Sequence, residues 1–461
     1  MKGLAHIKQV YFLGIGGIGM SALARYFKHA GFLVSGYDRT ETKLTRELQA
    51  EGVDVHYDDR PAWLAGHLLP GACLVVYTPA VPAELGERIF VETNDIPMKK
   101  RSEVLGMICY ELNCCAVAGT HGKTSVSTML AHILHTSVLG CTAFLGGISK
   151  NYQTNLLLDS ASEWVVAEAD EFDRSFLRLF PNLAVITSMD ADHLDIYGNQ
   201  QAIMDSFNAF ARQVKAGGSL VVKKGLQVTE DPNKNISYYS YSLNEQADFY
   251  AENIELDHEA YQFDLVHPNG RIEGMRLNYP GLMNVENAIA ASSLALLAGV
   301  HSEELLLALA AYQGVKRRFD IQYRSEQFIL IDDYAHHPEE LKATIASVRA
   351  MFSGRKVTGI FQPHLFSRTR DFADGFAREL DQLDEIMLLD IYPAREKPME
   401  GVNSELIFHQ IKNKNKQLIT KNELPELVEK LDAGVILMMG AGDIDTLVEP
   451  VKMKLMEIEH V

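Results

Sequence analysis

Two stretches of this 461-residue chain carry residues whose types and spacing suit phosphate binding: YFLGIGGIGMSALA from Tyr11 to Ala24, and AVAGTHGKTSVSTML from Ala116 to Leu130. Each reads as an apolar strand, a glycine-rich turn and the start of a helix. In that arrangement backbone N–H groups and the positive end of the helix dipole hold a phosphate. In the first stretch Gly14, Gly16 and Gly19, with Gly17 between them, match G-x-G-x-x-G, and Asp38 ends the next strand, where an acid can meet a nucleotide sugar hydroxyl. Any pyrophosphate satisfies those glycines, so NAD and FAD stay open beside other nucleotides. The second stretch runs Gly119, Thr120, His121, Gly122, Lys123, Thr124, Ser125. Its lysine can neutralise the β- and γ-phosphates of ATP and its threonine hydroxyl can sit on Mg²⁺. Val117 stands where the full P-loop pattern has its first glycine, which leaves a bare G-x-x-G-K-T.

Two acidic loops follow in the same segment. VVAEADEFDRSF sets Glu168, Asp170, Glu171 and Asp173 at a strand end, and ITSMDADHLDIYG does the same with Asp190, Asp192, His193 and Asp195. A single acidic loop is ordinarily a solvated turn. Two of them, each directly after a buried strand and beside an ATP loop, point to a site for a hard cation such as Mg²⁺.

The elements that must position these groups follow from the pattern of apolar runs. Residues 1–106 alternate short strands and helices, as a parallel sheet with crossover helices requires. Residues 107–315 hold the ATP loop, more buried strands, a polar β-rich stretch over 237–277 and a helix-rich close. Residues 316–461 return to strand-helix alternation. The expected fold is α/β in three domains, Rossmann-like at both ends with a P-loop ATP-binding domain between them.

A formal net charge of −18 argues against a nucleic-acid partner, and no apolar run approaches the ~20 residues that cross a bilayer. A cytoplasmic location is the default expectation, since the start shows no signal-peptide pattern. The five cysteines, Cys73, Cys109, Cys114, Cys115 and Cys141, form no CxxC pair and read as packed thiols.

Ten ordered motifs carry a resemblance: GIGGIGMSALA, AGTHGKTSVSTML, AEADEFDRSF, DADHLDIYG, YPGLMNVENAIAA, YQGVKRRFD, DDYAHHPEEL, FQPHLFSRTRDF, YPAREKP and GAGDI. In this order they resemble the Mur ligases of peptidoglycan synthesis over nearly the whole chain. The resemblance implies an ATP-dependent amide ligase that joins L-alanine to the muramoyl carboxylate of UDP-N-acetylmuramate through an acyl phosphate, with Mg²⁺. It also implies why there are two phosphate cradles: the first for the UDP-sugar, through Gly14, Gly16, Gly17, Gly19 and Asp38, the second for ATP. Lys123 would bind the phosphates and stabilise the transferring group. Thr124 and Glu168 would hold one Mg²⁺ and His193 a second. Asn287 would read adenine, Arg318 would lie near the nucleotide and Asp333 would meet the ATP ribose or nearby phosphates. His336, His364 and Arg368 would reach the acyl phosphate and the incoming amino acid.

Three positions depart from the family pattern: Ser188, where Asn is common, Met283, where His is common, and Leu365, where Arg is common. They receive no family role. YGNQQAIMDSFNAF, after His193, lacks the lysine that related ligases carbamoylate. The expected partners are the two substrates, with a monomer or homodimer as the assembly. Two other readings stay open. A recycling ligase that attaches a ready-made tripeptide to the same sugar nucleotide shares some motifs, and an NAD-dependent dehydrogenase explains only the first loop.

Overall fold

The computed structural model describes residues 6–190, 194–394 and 396–459. Two compact units emerge: Met1–Ile254 with Phe263–Arg276 and Glu286–Gln313, and Glu255–Gln262 with Leu277–Val285 and Gly314–Val461. Among the described residues the strands form three sheets.

The first sheet comprises β1 (Gln9–Leu13), β2 (Leu33–Tyr37), β3 (Asp54–His56), β4 (Cys73–Tyr77) and β5 (Met98–Lys100), in the order β3-β2-β1-β4-β5. All its pairings are parallel. Parallel strands are covered on both faces, which is why QVYFL of β1 is apolar almost throughout and wholly buried. The helix Ile18–His29 leaves the glycine turn and buries Met20, Leu23 and Phe27.

The second sheet comprises β6 (Asn113–Ala118), β7 (Thr142–Phe144), β8 (Leu156–Leu157), β9 (Trp164–Ala169), β10 (Leu183–Ile186), β11 (Ser219–Lys223), β12 (Ser237–Ser242), β13 (Phe249–Asp257), β14 (Ala260–His267) and β15 (Gly270–Leu277). Its order is β15-β14-β13-β12-β11-β10-β6-β9-β7-β8. The polar β-rich stretch expected over 237–277 is the run from β12 to β15. The G-x-x-G-K-T loop follows the central strand β6, and the helix Lys123–Thr136 after it is buried from Thr124 to Leu134. One apolar core runs from Val10, Phe12 and Phe27 through Ile108 and Cys109 to Ala116, Ala167 and Phe207. That shared core joins the first sheet to most of the second within the first unit, while Glu255–Gln262 and Leu277–Val285 fall in the second unit.

The third sheet comprises β16 (Asp320–Arg324), β17 (Phe328–Asp333), β18 (Lys356–Phe361), β19 (Glu385–Leu388), β20 (Lys416–Leu418) and β21 (Gly434–Met439), ordered β16-β17-β21-β18-β19-β20. Only β16 runs antiparallel to its neighbour. All five cysteines are buried free thiols, as expected.

At the end of β17, Asp332 is 3% exposed and its Oδ2 lies 3.8 Å from Nε of Arg317. Burial pushes its carboxyl up to about 7, against the opposing pull of Arg317. The folded chain therefore keeps this proton to a higher pH than the unfolded chain, whose aspartates titrate near ~3.9. Its contribution is most favourable at low pH and is lost as pH rises from about 4 through about 7. Asp332→Asn is thus expected to raise Tm at pH 8 by about 3 °C more than at pH 5, measured by calorimetry. Equal shifts at the two pH values would remove the argument.

Candidate active site

The first cradle is built by β1 and the turn after it. Gly17 caps the helix Ile18–His29 with extended backbone and supplies no side-chain cap, so the first-turn N–H groups are not met by a capping side chain. Gly16 donates its N–H to Oδ2 of Asp38 at 2.7 Å, and Thr40 donates to Oδ1 at 3.1 Å. Asp38 thereby braces the turn from the end of β2. A Cβ on Gly16 would stand 2.7 Å from Cγ2 of Thr45 and 2.8 Å from Oδ2 of Asp38, so the position has no room for a side chain. A cavity of about 310 Å³ opens here, lined by Gly17, Ile18, Gly19 and Arg101 on one side and by Gly146, Glu168 and Asp170 on the other. The first glycine turn and the acidic strand end thus face one space. Arg101 Nη2 lies 3.8 Å from Asp170 Oδ2 across it.

The second cradle follows β6. Gly122 is the N-cap of the helix Lys123–Thr136 and adopts φ +82°, a left-handed conformation that glycine tolerates and that turns the helix amides outward. Thr124 and Ser125 are both buried in the first turn. Thr187 and Ser188, just past β10, hold the loop from the neighbouring strand. The Thr187 hydroxyl donates to His121 O at 2.5 Å. Ser188 Oγ accepts the N–H of His121 at 2.7 Å and the hydroxyl of Thr120 at 2.9 Å. Thr120 Oγ1 in turn accepts the N–H of Asp190 at 3.1 Å. Ser188 earned no role from its residue type, yet it fixes the conformation of the phosphate loop. His121 Nε2 lies 3.5 Å from Asp190 Oδ2. Asn287, on the helix Leu282–Ala298, packs on the same loop, its Oδ1 standing 3.0 Å from the point where a Cβ on Gly122 would be.

Lys123 donates to Gly119 O at 2.7 Å and to both carboxylate oxygens of Glu171, at 2.9 and 2.7 Å. Burial opposes the lysine's charge, but the carboxylates of Glu171, Asp170 and Glu168 outweigh it and hold the ammonium well above the ordinary lysine range. Burial pushes Glu171 the other way, up to about 7, despite its lysine partner. Glu171 is 1% exposed and its carbonyl accepts the Tyr197 hydroxyl at 2.6 Å. Sequence reasoning placed Glu171 among four acids without singling it out. No local signal could have found it, because its partner Lys123 lies 48 positions earlier in the chain. Glu168, on β9, is packed instead against Gly146, where a Cβ would sit 2.1 Å from its Oε2.

Oxygen donors of Thr124 and Glu168 suit Mg²⁺, a hard cation that takes carboxylates and hydroxyls together with phosphate oxygens. The absence of a side chain on Gly146 preserves the space at the Glu168 carboxylate. Among the described residues no three His, Cys, Asp or Glu side chains gather as a closed metal cage. His193, expected to hold a second ion, lies outside the described residues, as does Asp192.

In the second unit Asp333 ends β17, and its two oxygens accept the N–H groups of Phe319 at 2.7 Å and Ala335 at 2.8 Å. Burial pushes it up to about 6, opposed by Arg318 and these N–H groups. Arg318 stacks over the Tyr334 ring, its guanidinium carbon 4.8 Å from the centroid. His336, His364 and Arg368 come together: the two histidine rings are 5.9 Å apart, and Arg368 Nη1 is 3.3 Å from His364 Nδ1. Glu340 accepts the His336 N–H at 2.9 Å, and Tyr392 stacks on His364. His337 caps the helix Pro338–Met351, with Pro338 in the first turn as its fixed φ favours.

Comparison with known proteins agrees with this geometry. Three family models match in order: Mur ligase family, catalytic domain, over residues 9–111, Mur ligase middle domain over 117–295, and Mur ligase, glutamate ligase domain, over 317–442. The UDP-N-acetylmuramate–L-alanine ligase of Parabacteroides distasonis is 51% identical, with 97% of each chain covered. That of Christiangramia forsetii is 48% identical, with 99% of each covered. A crystal structure of the UDP-N-acetylmuramate–alanine ligase of Thermotoga maritima superposes with a TM-score of 0.79 at 26% identity, covering 98% of this chain and 99% of that one. With three consecutive domains matched and near-half identity over its whole length, the chain belongs to the Mur ligase family.

Proposed function

We propose that the protein uses ATP to join L-alanine to the muramoyl carboxylate of UDP-N-acetylmuramate. The observation that carries the mechanism is the cavity that runs from the glycine turn at Gly17 and Gly19 to Glu168 and Asp170. A sugar nucleotide anchored by its pyrophosphate at one end can present its carboxylate at the other.

A carboxylate is a poor electrophile, so it must be activated before an amine can displace an oxygen from it. Transfer of the γ-phosphoryl group supplies the activation, giving an acyl phosphate and ADP. Attack by the neutral amine of alanine then forms the amide and releases phosphate. Lys123 and the first-turn amides after Gly122 bind and neutralise the phosphates of ATP, and Asn287 and Arg318 are assigned to the nucleotide. Thr124 and Glu168 are assigned to Mg²⁺, which when bound offsets the charge that builds on the transferring group. His336, His364 and Arg368 are assigned to the acyl phosphate and the incoming amino acid. Gly14, Gly16, Gly17, Gly19 and Asp38 form the UDP-sugar cradle. Most of the catalysis is positioning and charge neutralisation.

The reading is tested by coupled ADP release with UDP-N-acetylmuramate across single amino acids and a free tripeptide with an N-terminal L-alanine. ADP release that depends on L-alanine supports it. Release only with the tripeptide overturns it in favour of a recycling ligase. Within this assay Glu168→Gln is expected to lower kcat by about a hundredfold and to shift the Mg²⁺ requirement upward, with Tm near the parent's. Unchanged Mg²⁺ dependence would remove Glu168 from the metal site.

A further inference from the structure

Asn155 is fully buried and makes three side-chain hydrogen bonds, all to the helix that follows the first glycine turn. Its Nδ2 donates to Ile18 O at 2.6 Å and to Ser21 Oγ at 3.0 Å. Its Oδ1 accepts from Arg25 Nη1 at 2.7 Å. Arg25 is itself fixed by Glu51, whose oxygens it meets through Nε and Nη2 at 2.7 to 2.9 Å, and by Glu47 at 3.3 Å. All three contacts fall within the first two turns of the helix whose N-terminus forms the cradle.

The backbone of Asn155 looks the other way. Its carbonyl accepts the N–H of Leu145 at 3.0 Å. Leu145 and Gly146 line the cavity opposite Gly17 and Gly19, and Gly146 lies directly against the Glu168 carboxylate. One residue therefore joins the floor of the pyrophosphate cradle to the wall that carries the metal carboxylate. A buried amide whose donors and acceptor are all used in fixed directions tolerates little displacement.

We propose that Asn155 is a positioning residue that sets the register between the UDP-sugar cradle and Glu168. This rests on the ligase reading above. The sugar nucleotide spans that gap, so a slip of the helix moves its carboxylate relative to the γ-phosphate without removing any group that touches ATP. Misplacement of about 1 Å between reacting groups costs about a hundredfold in rate.

The test uses the full chain. Asn155→Asp keeps the size and the Arg25 partner but loses both donors to the helix, and Asn155→Ala loses all three bonds without adding charge. Both are expected to lower kcat by about 30-fold or more while KM for ATP stays within about twofold of the parent. A merely structural role would change the folded fraction and leave the KM-against-kcat pattern of the folded enzyme intact. A second readout does not depend on turnover. Nitroxides on Leu33→Cys and Val138→Cys, both exposed positions in a chain whose own thiols are buried, report the spacing of the two walls by electron-spin distance measurement. The distance distribution should broaden in each Asn155 variant. An unchanged distribution, or a kcat within about threefold of the parent, overturns the proposal. A parent that turns over none of the substrates removes the ligase reading, and the distance distribution still decides the tether.

Discussion

Lys123→Ala is expected to lower kcat by about a thousandfold while UDP-N-acetylmuramate still binds. The ammonium is the cation that the structure sets at the mouth of the phosphate loop, bonded to Gly119 O and to both oxygens of Glu171. Its removal takes away charge that matters most when the γ-phosphoryl group is in transit. It also leaves Glu171 buried without its partner, which costs folding free energy of order 3 kcal/mol unless the carboxyl protonates. The double variant Lys123→Ala, Glu171→Gln separates the two effects, because it should recover Tm and not turnover. ADP release and calorimetric titration with each nucleotide provide the measurement. Turnover within tenfold of the parent in the single variant would refute the role.

Gly16→Val should do the complementary damage. A branched side chain at this turn would overlap Thr45 and drive Asp38 off the Gly16 N–H, so the pyrophosphate cradle loses both its space and its brace. UDP-N-acetylmuramate affinity is expected to fall at least a hundredfold, with ATP binding within about threefold of the parent. Titration of both variants with both nucleotides gives a crossed pattern if the loops hold different molecules. Loss of ATP binding in Gly16→Val, with the UDP-sugar bound normally, would mean the loops had been assigned to the wrong ligands.

Both glycine turns were legible in the sequence because their chemistry is local: a strand, a turn that excludes side chains and a helix start lie within fifteen residues of one another. The central strands of each sheet were legible for a related reason, whereas short or edge strands such as β3, β5, β8, β16 and β20 were not. Parallel strands buried on both faces read as continuous apolar runs, as KVTGIF and GVILMMG do. What the sequence did not carry is contact between distant segments. Thr187 and Ser188 grip a loop 66 to 68 positions earlier, and Asn155 reaches back 137 positions to Ile18. No periodicity encodes such pairs. Glu168 and Glu171 are three residues apart and chemically alike, and only the fold shows that Glu171 faces the lysine while Glu168 faces the cavity. The apolar core shared by the first two sheets was equally hidden, since it joins residues as far apart in the chain as Val10 and Phe207.

If the loop at Lys123 holds ATP as proposed, nucleotide binding is expected to be linked to proton uptake by Glu171. Glu171 is almost wholly enclosed, and the ammonium is the main influence that favours its charge. A phosphate that draws the ammonium toward itself would leave behind a carboxylate with little solvent and weaker compensation, so its affinity for a proton would rise. Arrival of ATP should then be accompanied by uptake of up to one proton per site from the medium, and departure of ADP by its return. Nucleotide affinity is then expected to be higher at pH 6 than at pH 8, measured by calorimetry in buffers of different ionisation enthalpy; equal affinity with no proton uptake would remove the linkage.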